Sequence, residues 1–347
     1  MSVPHLAANL LATLAIALSA AWGGCALWYR ASHETALKLL SAALWTAFSL
    51  GVLMALWQGR AILGLAAYTV GFLGLLVWWH RLRPSNDRVW ADDVARMTTG
   101  TVSGSIVTLH NVRNFVWRST SDYTQRWETR SYELDRLESV DMIMSHWTGR
   151  MIAHMLISFG FDGGGYVAFS VEIRREKHQS FSEIGGFFKE FELSVIAADE
   201  RDVVRVRTNV RGEDVFLYRL IMPPAAMRAL FLGYVDEANR LVGAPRFYNT
   251  ITVNCTTLVY HMMKRIAGGL PMSYRVLLSG YMPEYMYSIG RLDSRYSLAQ
   301  LRDRGRISER AKRADLSATF SEDIRLGVPS IEPVHSPIGI SRNVNAW

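Results

Sequence analysis

The first 79 residues hold three long apolar runs and only four charged side chains, Arg30, Glu34, Lys38 and Arg60. The runs extend roughly over Leu6–Tyr29, Leu39–Trp57 and Ile62–Trp79. Each is long enough for a helix to cross a hydrocarbon core of about 30 Å. The charges sit in two short connectors, RASHETALK and QGR, and Trp22, Trp28, Trp57, Trp78 and Trp79 fall near run ends, where an amphipathic indole prefers the headgroup region. The pattern predicts three membrane-spanning helices. A buried helical core in a soluble protein would need a much larger polar chain around it.

A cleaved signal peptide fits poorly, because MSVPHLAANLL has no Lys or Arg ahead of its apolar stretch and two further spans follow. AWGGCAL resembles a lipoprotein cleavage site only faintly, since Trp22 stands where a branched aliphatic residue belongs, so Cys25 reads as a small packing residue of the first helix. With Cys25 in the membrane and Cys255 in the polar part, an intramolecular disulfide is not expected. If the amino terminus is cytoplasmic, three spans leave Arg60 alone inside and put Arg30, Lys38, Arg81, Arg83 and Arg88 outside. The count of basic residues therefore favours a cytoplasmic domain.

The net charge is +7, concentrated in HRLRPSNDR and in the tail RLDSRYSLAQLRDRGRISERAKR. Both suit a position near anionic headgroups. No nucleic-acid motif accompanies the charge, so nucleic acid is not an expected partner.

Beyond the turn-rich RPSNDRVWADD, alternating segments such as GSIVTLHNV and TRSYELDRL read as strands, and ESVDMIMSHW as a buried one. AHMLISFGF and YVAFSVEIRRE form a hairpin around DGGG, whose glycines supply positive φ. FFKEFELSVIAA and DVFLYRLI are further strands, with DERDVVRVRTN a short helix or turn between them. PPAAMRALFLGYVDEANRLVGA begins on prolines and carries Met227, Leu230, Phe231, Tyr234 and Leu241 at helical spacing. TTLVYHMMKRIAGG is a second helix, and YRVLLSGYMPEYMYSIG is helical on either side of Pro283. The polar part is thus α+β, an antiparallel sheet followed by packed helices.

Cys255 stands at a predicted helix start, NTITVNCTTLVY. Unpaired amides there favour the thiolate, so the position suits a nucleophile and equally a buried filler. A thiol nucleophile needs a base, most often histidine, held by a third polar group. The polar part offers His110, His146, His154, His178, His261 and His335. His261 is six residues past Cys255 on another helix face, His335 lies in the tail, and His154 opens a predicted strand. The charged DERDVVRVRTNVRGED reads as a solvated network of ion pairs on a turn, or as an anion or headgroup site beside a cleft. No Cys or His cluster has metal-ligand spacing, and neither metal nor cofactor is expected.

HNVRNFVWRS, RWETRSYELDRL, SFGF..GGYVAFSVEIRREK, ELSVIAADERDVVRVRTNVRGEDVFLYRL and FYNTITVNCTT together resemble the bacterial Lnb N-terminal periplasmic domain family, over roughly Pro84–Leu292. That family typically reads Asn-Asn-Cys-Thr-Thr at the cysteine; this chain has Val253 in the first place and keeps Asn254, Cys255, Thr256 and Thr257. The family is similar in turn to permuted papain-like proteins, the NlpC-type peptidases and lecithin retinol acyltransferase, in which a strand histidine precedes a helix-start cysteine. The resemblance implies Cys255 as nucleophile and His154 as base, with Glu172 as third group ahead of Glu176 and Asp141, and Asn254, Thr256 and Thr257 in the substrate or oxyanion neighbourhood.

The resulting expectation is a multi-pass bacterial inner-membrane protein, with a membrane domain at 1–82, a permuted papain-like domain at 83–292 and a basic, partly disordered tail at 293–347. Its expected activity is that of a cysteine hydrolase or acyltransferase acting through a thioester. The substrate would be an amide or ester of the cell envelope: a peptidoglycan peptide, a lipoprotein or an acyl lipid. The alternative is a non-catalytic domain, tethered to the membrane, that binds an envelope ligand or a protein. The family name implies a periplasmic location, against the count of basic residues.

Overall fold

A computed structural model describes residues 3–331, apart from 33 and 269. Three apolar helices come first, α1 (Val3–Arg30), α2 (Thr35–Trp57) and α3 (Ala61–Arg81), each long and apolar enough to cross a membrane. Lipid tails give apolar helices no hydrophobic reason to associate, so packing and interhelical hydrogen bonds do that work. Ile16, Val52 and Tyr68 form the buried centre, with Trp45 and Phe72 against it. The Tyr68 hydroxyl donates to the Ile16 carbonyl at 3.2 Å, and Trp45 Nε1 donates to the Ala20 carbonyl at 3.0 Å. Gly23 makes the second contact possible, because a Cβ there would run into the Trp45 ring. Bonds of this kind contribute roughly 0.6–2 kcal/mol each.

The strands are β1 (Thr99–Ser103), β2 (Ile106–Arg113), β3 (Val116–Trp117), β4 (Tyr123–Thr124), β5 (Trp127–Glu133), β6 (Leu137–His146), β7 (His154–Phe161), β8 (Gly165–Arg174), β9 (Glu192–Ala198) and β10 (Asp214–Arg219). Eight of them make one sheet in the order β1-β2-β9-β8-β7-β6-β10, with β5 also on β2, while β3 and β4 pair separately. The β1–β2, β2–β5, β6–β7, β7–β8 and β6–β10 pairs are antiparallel, and a parallel bridge joins β2 to β9 at Arg113 and Ala198. The β7–β8 hairpin turns at Asp162–Gly164, where Gly163 and Gly164 have φ of 87° and 89°; a side chain at either would be strained.

The remaining helices are α4 (Glu200–Val203), α5 (Pro224–Gly243), α6 (Cys255–Ala267), α7 (Tyr274–Leu277), α8 (Met282–Ser288), α9 (Leu298–Gly305), α10 (Ser308–Ala314) and α11 (Phe320–Asp323). Pro223 caps α5 and Pro224 opens it, where a missing amide costs nothing. The apolar stripe of α5 is buried: Phe231 meets Phe159 edge-on at 5.0 Å, and Tyr234 stacks on Phe169 at 4.9 Å. Burying each such ring is worth about 1.5–3 kcal/mol. The domain is therefore α+β, a mostly antiparallel sheet packed against helices.

Two expectations change. FFKEFELSVIAA is strand only over Glu192–Ala198, since Gly185–Phe188 is a 3-10 turn ended by Lys189 at φ 55°. The stretch 293–331, expected as partly disordered tail, instead forms α9 to α11. Its Ile307 amide donates to the Val215 carbonyl at 2.9 Å, and its Arg325 is buried in ion pairs. His335 and the rest of the tail lie outside the described residues.

The chain divides into two compact units. One holds Met1–Ala91 with Ile173–Leu193 and Pro245–Val253; the other holds Asp92–Glu172, Ser194–Ala244 and Asn254–Trp347. Two internal segments of the expected 83–292 domain thus group with the membrane helices.

Candidate active site

Cys255 is the first residue of α6, and the sequence builds that helix start with a reciprocal cap. Asn254 Oδ1 accepts from the amides of Thr256 at 2.9 Å and Thr257 at 2.8 Å, and the Asn254 amide donates to Thr257 Oγ1 at 2.9 Å. Thr256 Oγ1 also donates to the Val276 carbonyl at 2.8 Å, tying α6 to the segment beyond it. A cap of this kind is worth roughly 1 kcal/mol and leaves the cysteine facing the positive end of the helix. Asn254, Thr256 and Thr257, expected in the substrate or oxyanion neighbourhood, thus flank Cys255 at the start of α6. Their polar groups are buried and engaged in holding the helix start.

His154 opens β7, opposite Ser145 of β6. On the other side, β7 and β8 pair Leu156 with Ser170; two residues further along the same antiparallel register, His154 faces Glu172. His154 Nε2 is 2.7 Å from Ser170 Oγ and 3.2 Å from Glu172 Oε1, and Ser170 Oγ donates to Glu172 Oε1 at 2.6 Å. The imidazole and the Met155 amide lie close enough to the Cys255 sulfur to shift its proton equilibrium. The structure thus brings Cys255, His154 and Glu172 together, with Ser170 bonded to the last two.

Burial opposes charge on all three groups, and mutual contact outweighs it. For His154, burial and the nearby Arg207 guanidinium both disfavour the imidazolium; Glu172 and the bonds to Cys255 and Glu172 still raise it to about 9. For Cys255, burial disfavours the thiolate, and the hydrogen bond and positive charge of His154 bring it below an ordinary thiol. For Glu172, burial is again the opposing influence, and His154 followed by Arg207 holds its carboxyl well below the usual range. Contact among the three thus favours the charged form of each against the opposing effect of burial. Each charge is compensated by the next, as buried charges must be.

Arg207 extends the group outward, with Nη2 3.3 Å from Glu172 Oε1 and Nη1 3.3 Å from Glu213 Oε2. Ser145 Oγ donates to the same Glu213 oxygen. Arg207 stands in a π-helical turn, Val206–Val210, an irregularity common at functional sites. The charged stretch around it is not solvated. Glu200, Asp202, Arg205 and Arg207 are all buried, and Asp202 accepts from Arg113, the Phe115 amide and Trp117. Sequence reasoning missed Ser170 and the role of Arg207. Ser170 falls two residues before Glu172 and so shares its strand face, which is the signal that could have found it.

The other candidates lie elsewhere. Glu176 pairs with Arg88 at 2.7 Å, while Asp141 is buried between Arg219 and Arg325. His110 contacts Thr129, His146 packs on Phe216, and His178 and His261 are exposed. Among the described residues no cluster of three or more His, Cys, Asp or Glu could hold a metal ion. Met155, Thr256, Met263, Met282, Tyr285 and Met286 line an apolar cavity of about 10 Å³, room for about one water.

Residues 123–280 match the Lnb N-terminal periplasmic domain family. The match covers most of the sheet together with the whole Cys255, His154 and Glu172 group. No curated protein and no solved structure matches the chain. Three apolar helices and a periplasmic-domain match make this a multi-pass inner-membrane protein with a periplasmic domain, an envelope-associated architecture. The count of basic residues misleads, and two of those charges are engaged within the structure. Arg88 pairs with Glu176 and Glu192, and Arg30 lies 5.3 Å above the Phe247 ring.

Proposed function

We propose that the periplasmic domain is a thiol-dependent hydrolase or acyltransferase of permuted papain-like type, acting on an amide or ester of the cell envelope. The observation that carries this reading is the closeness of Cys255 and His154, with Glu172 behind the imidazole. The chain order, a strand histidine ahead of a helix-start cysteine, supports it. With Nε2 directed at Ser170 and Glu172, Nδ1 is the ring nitrogen left for the thiol.

In this mechanism the Cys255 thiolate attacks the carbonyl carbon, and the carbonyl electron pair moves to oxygen. The Cys255 amide, in the first turn of α6, is the oxyanion donor that the helix geometry offers. As the intermediate collapses, the His154 imidazolium gives its proton to the departing amine or alkoxide, leaving a thioester. Water, or an amine or hydroxyl acceptor, then loses a proton to His154 and attacks the thioester, releasing the acyl group and restoring the starting pair. Glu172 holds the ring in place and stabilises its charged form.

A second reading, a non-catalytic module that binds an envelope ligand or partner, rests on the surroundings of the sulfur. Cys255 is only 6% exposed, and the cavity that its chain neighbour Thr256 helps to line has room for about one water. On those surroundings and the envelope architecture, this second reading has the better support; the closeness of Cys255 and His154 is what favours the first.

Trapping separates them. The full chain in nanodiscs, incubated with envelope extract, is expected to gain a hydroxylamine-labile acyl mass on the Cys255 peptide that Cys255→Ala lacks. Retention of envelope material without any such adduct, unchanged in Cys255→Ala, contradicts the enzymatic reading in favour of the binding module.

A further inference from the structure

The segment between β8 and β9 belongs to the unit that contains the membrane helices, and it is fixed to the ends of two of them. Phe188 stacks on Tyr29 at 5.7 Å and meets Trp79 edge-on at 6.4 Å. Lys189 Nζ donates to the Trp79 carbonyl at 2.8 Å and lies 4.6 Å above the Trp79 ring. Ser182 Oγ donates to the Tyr29 hydroxyl at 3.4 Å. Tyr29 is the penultimate residue of α1, and Trp79 is two residues from the end of α3. Both spans finish there, on the side where the chain leaves the bilayer, and Tyr and Trp at span ends mark the headgroup level.

At that level the segment shows apolar side chains to the outside. Ile184 is 57% exposed, Phe187 41% and Phe181 57%. The neighbouring 245–253 loop adds Ile251 at 46%, and Thr250 Oγ1 joins the two loops by donating to the Glu183 carbonyl at 3.0 Å. Close packing underneath requires the paired glycines of IGGFF: a Cβ on Gly185 would collide with Glu190, and one on Gly186 with Thr250. The sequence thus folds the loop tightly on its inner side while turning large apolar residues outward. In water that arrangement leaves apolar area uncovered.

We infer that the 180–189 loop, with Ile251 beside it, is a second membrane contact, inserted at the boundary of headgroups and acyl chains of the outer face of the inner membrane. The occupant is the bilayer itself, because the loop is continuous with the span ends that already lie in it. Lys189, seated between the Trp79 and Phe247 rings, occupies the depth at which a lysine places its stem in the apolar layer and its charge among headgroups. By chain connection, Glu172 immediately precedes Ile173, the first residue of the segment that carries the loop, and Asn254 immediately follows Val253.

The test uses the full chain in nanodiscs with Cys25→Ala and Cys255→Ser. An NBD dye is placed by Ile184→Cys or, separately, Phe187→Cys, with Val77→Cys inside α3 as the lipid-embedded reference. The expected result is a blue-shifted emission at 184 and 187, lost when lipids carry a doxyl group near the headgroup and resistant to aqueous iodide. Emission as in water, quenched by iodide and not by doxyl lipid, overturns the inference. So does a dye shielded from both quenchers, which would mean that protein, a second copy or a partner, covers the loop.

Discussion

Two buried charged clusters lie on neighbouring strands of one sheet, and they differ in what their charges can do. In the first, Arg325 bridges Asp141 and Glu200, Arg219 completes Asp141, and Ser158 donates to Glu200 at 2.5 Å. Its cations are both guanidiniums, and Arg325 is driven further toward the charged form: burial opposes it, while Glu200 and Asp141 outweigh that. In the second, the thiol of Cys255 lies by the imidazole of His154, each shifting the other's proton equilibrium, with Glu172 and Arg207 behind them. The lesson is that burial of charge alone marks no site. A clamp uses groups with fixed charge, whereas a site contains groups whose proton can move.

The comparison breaks most visibly at its two centres. Cys255→Ala is expected to abolish thiol-dependent turnover and all labelling of the 255 peptide, with the melting temperature little changed. Arg325→Leu is expected to do the reverse. It strands Glu200 as a buried carboxylate and leaves Asp141 to Arg219 alone, a loss of about 3–5 kcal/mol, seen as a large fall in melting temperature in detergent, while the protein that remains folded alkylates at the wild-type rate. If Cys255→Ala were the more destabilising change, the assignment of clamp and site would be exchanged.

Stability against pH sharpens the difference. His154 is raised from an ordinary value near 6.5 to about 9 in the folded chain, so its contribution is complete below 6.5 and is lost as pH rises through 9. Glu172 is depressed, so its contribution is present above the unfolded value of 4.5 and falls away as pH drops below it. The melting-temperature gap between wild type and His154→Gln should be widest between those limits and close toward pH 9 and above. A gap that is flat across this range would deny the imidazolium.

The smallest effect belongs to Arg207. Its charge disfavours the His154 imidazolium, so Arg207→Gln is expected to move the alkaline limb of any thiol-dependent rate upward, by about one pH unit or less. Arg207→Lys, which keeps the charge, should show little of that shift. An unmoved pH profile with a simple loss of stability would make Arg207 structural only.

Much of this was legible in the sequence, for reasons that differ by element. Spans, the DGGG turn and α5 follow from local rules of apolar length, positive φ and helical spacing. His154, Cys255 and Glu172 were nameable through a family resemblance, yet their meeting depends on a strand register that no local rule fixes. The FFKE segment misled because its aromatics satisfy strand propensity, whereas tertiary contacts with Tyr29 and Trp79 hold it as a turn. The tail misled because basic residues such as Arg325 look solvent-bound until Asp141 and Glu200, far off in sequence, are found facing them. The match at 123–280 includes both the hairpin and the cysteine, which explains why family likeness reached the site when spacing could not.

The most direct test of the poised thiolate is the pH dependence of iodoacetamide alkylation at Cys255, in the full chain carrying Cys25→Ala, with and without His154→Ala. The account predicts an apparent pKa below that of an ordinary thiol, rising when the imidazole is removed, with slower alkylation at mildly acidic pH. An ordinary thiol titration, identical in the two proteins, would contradict it.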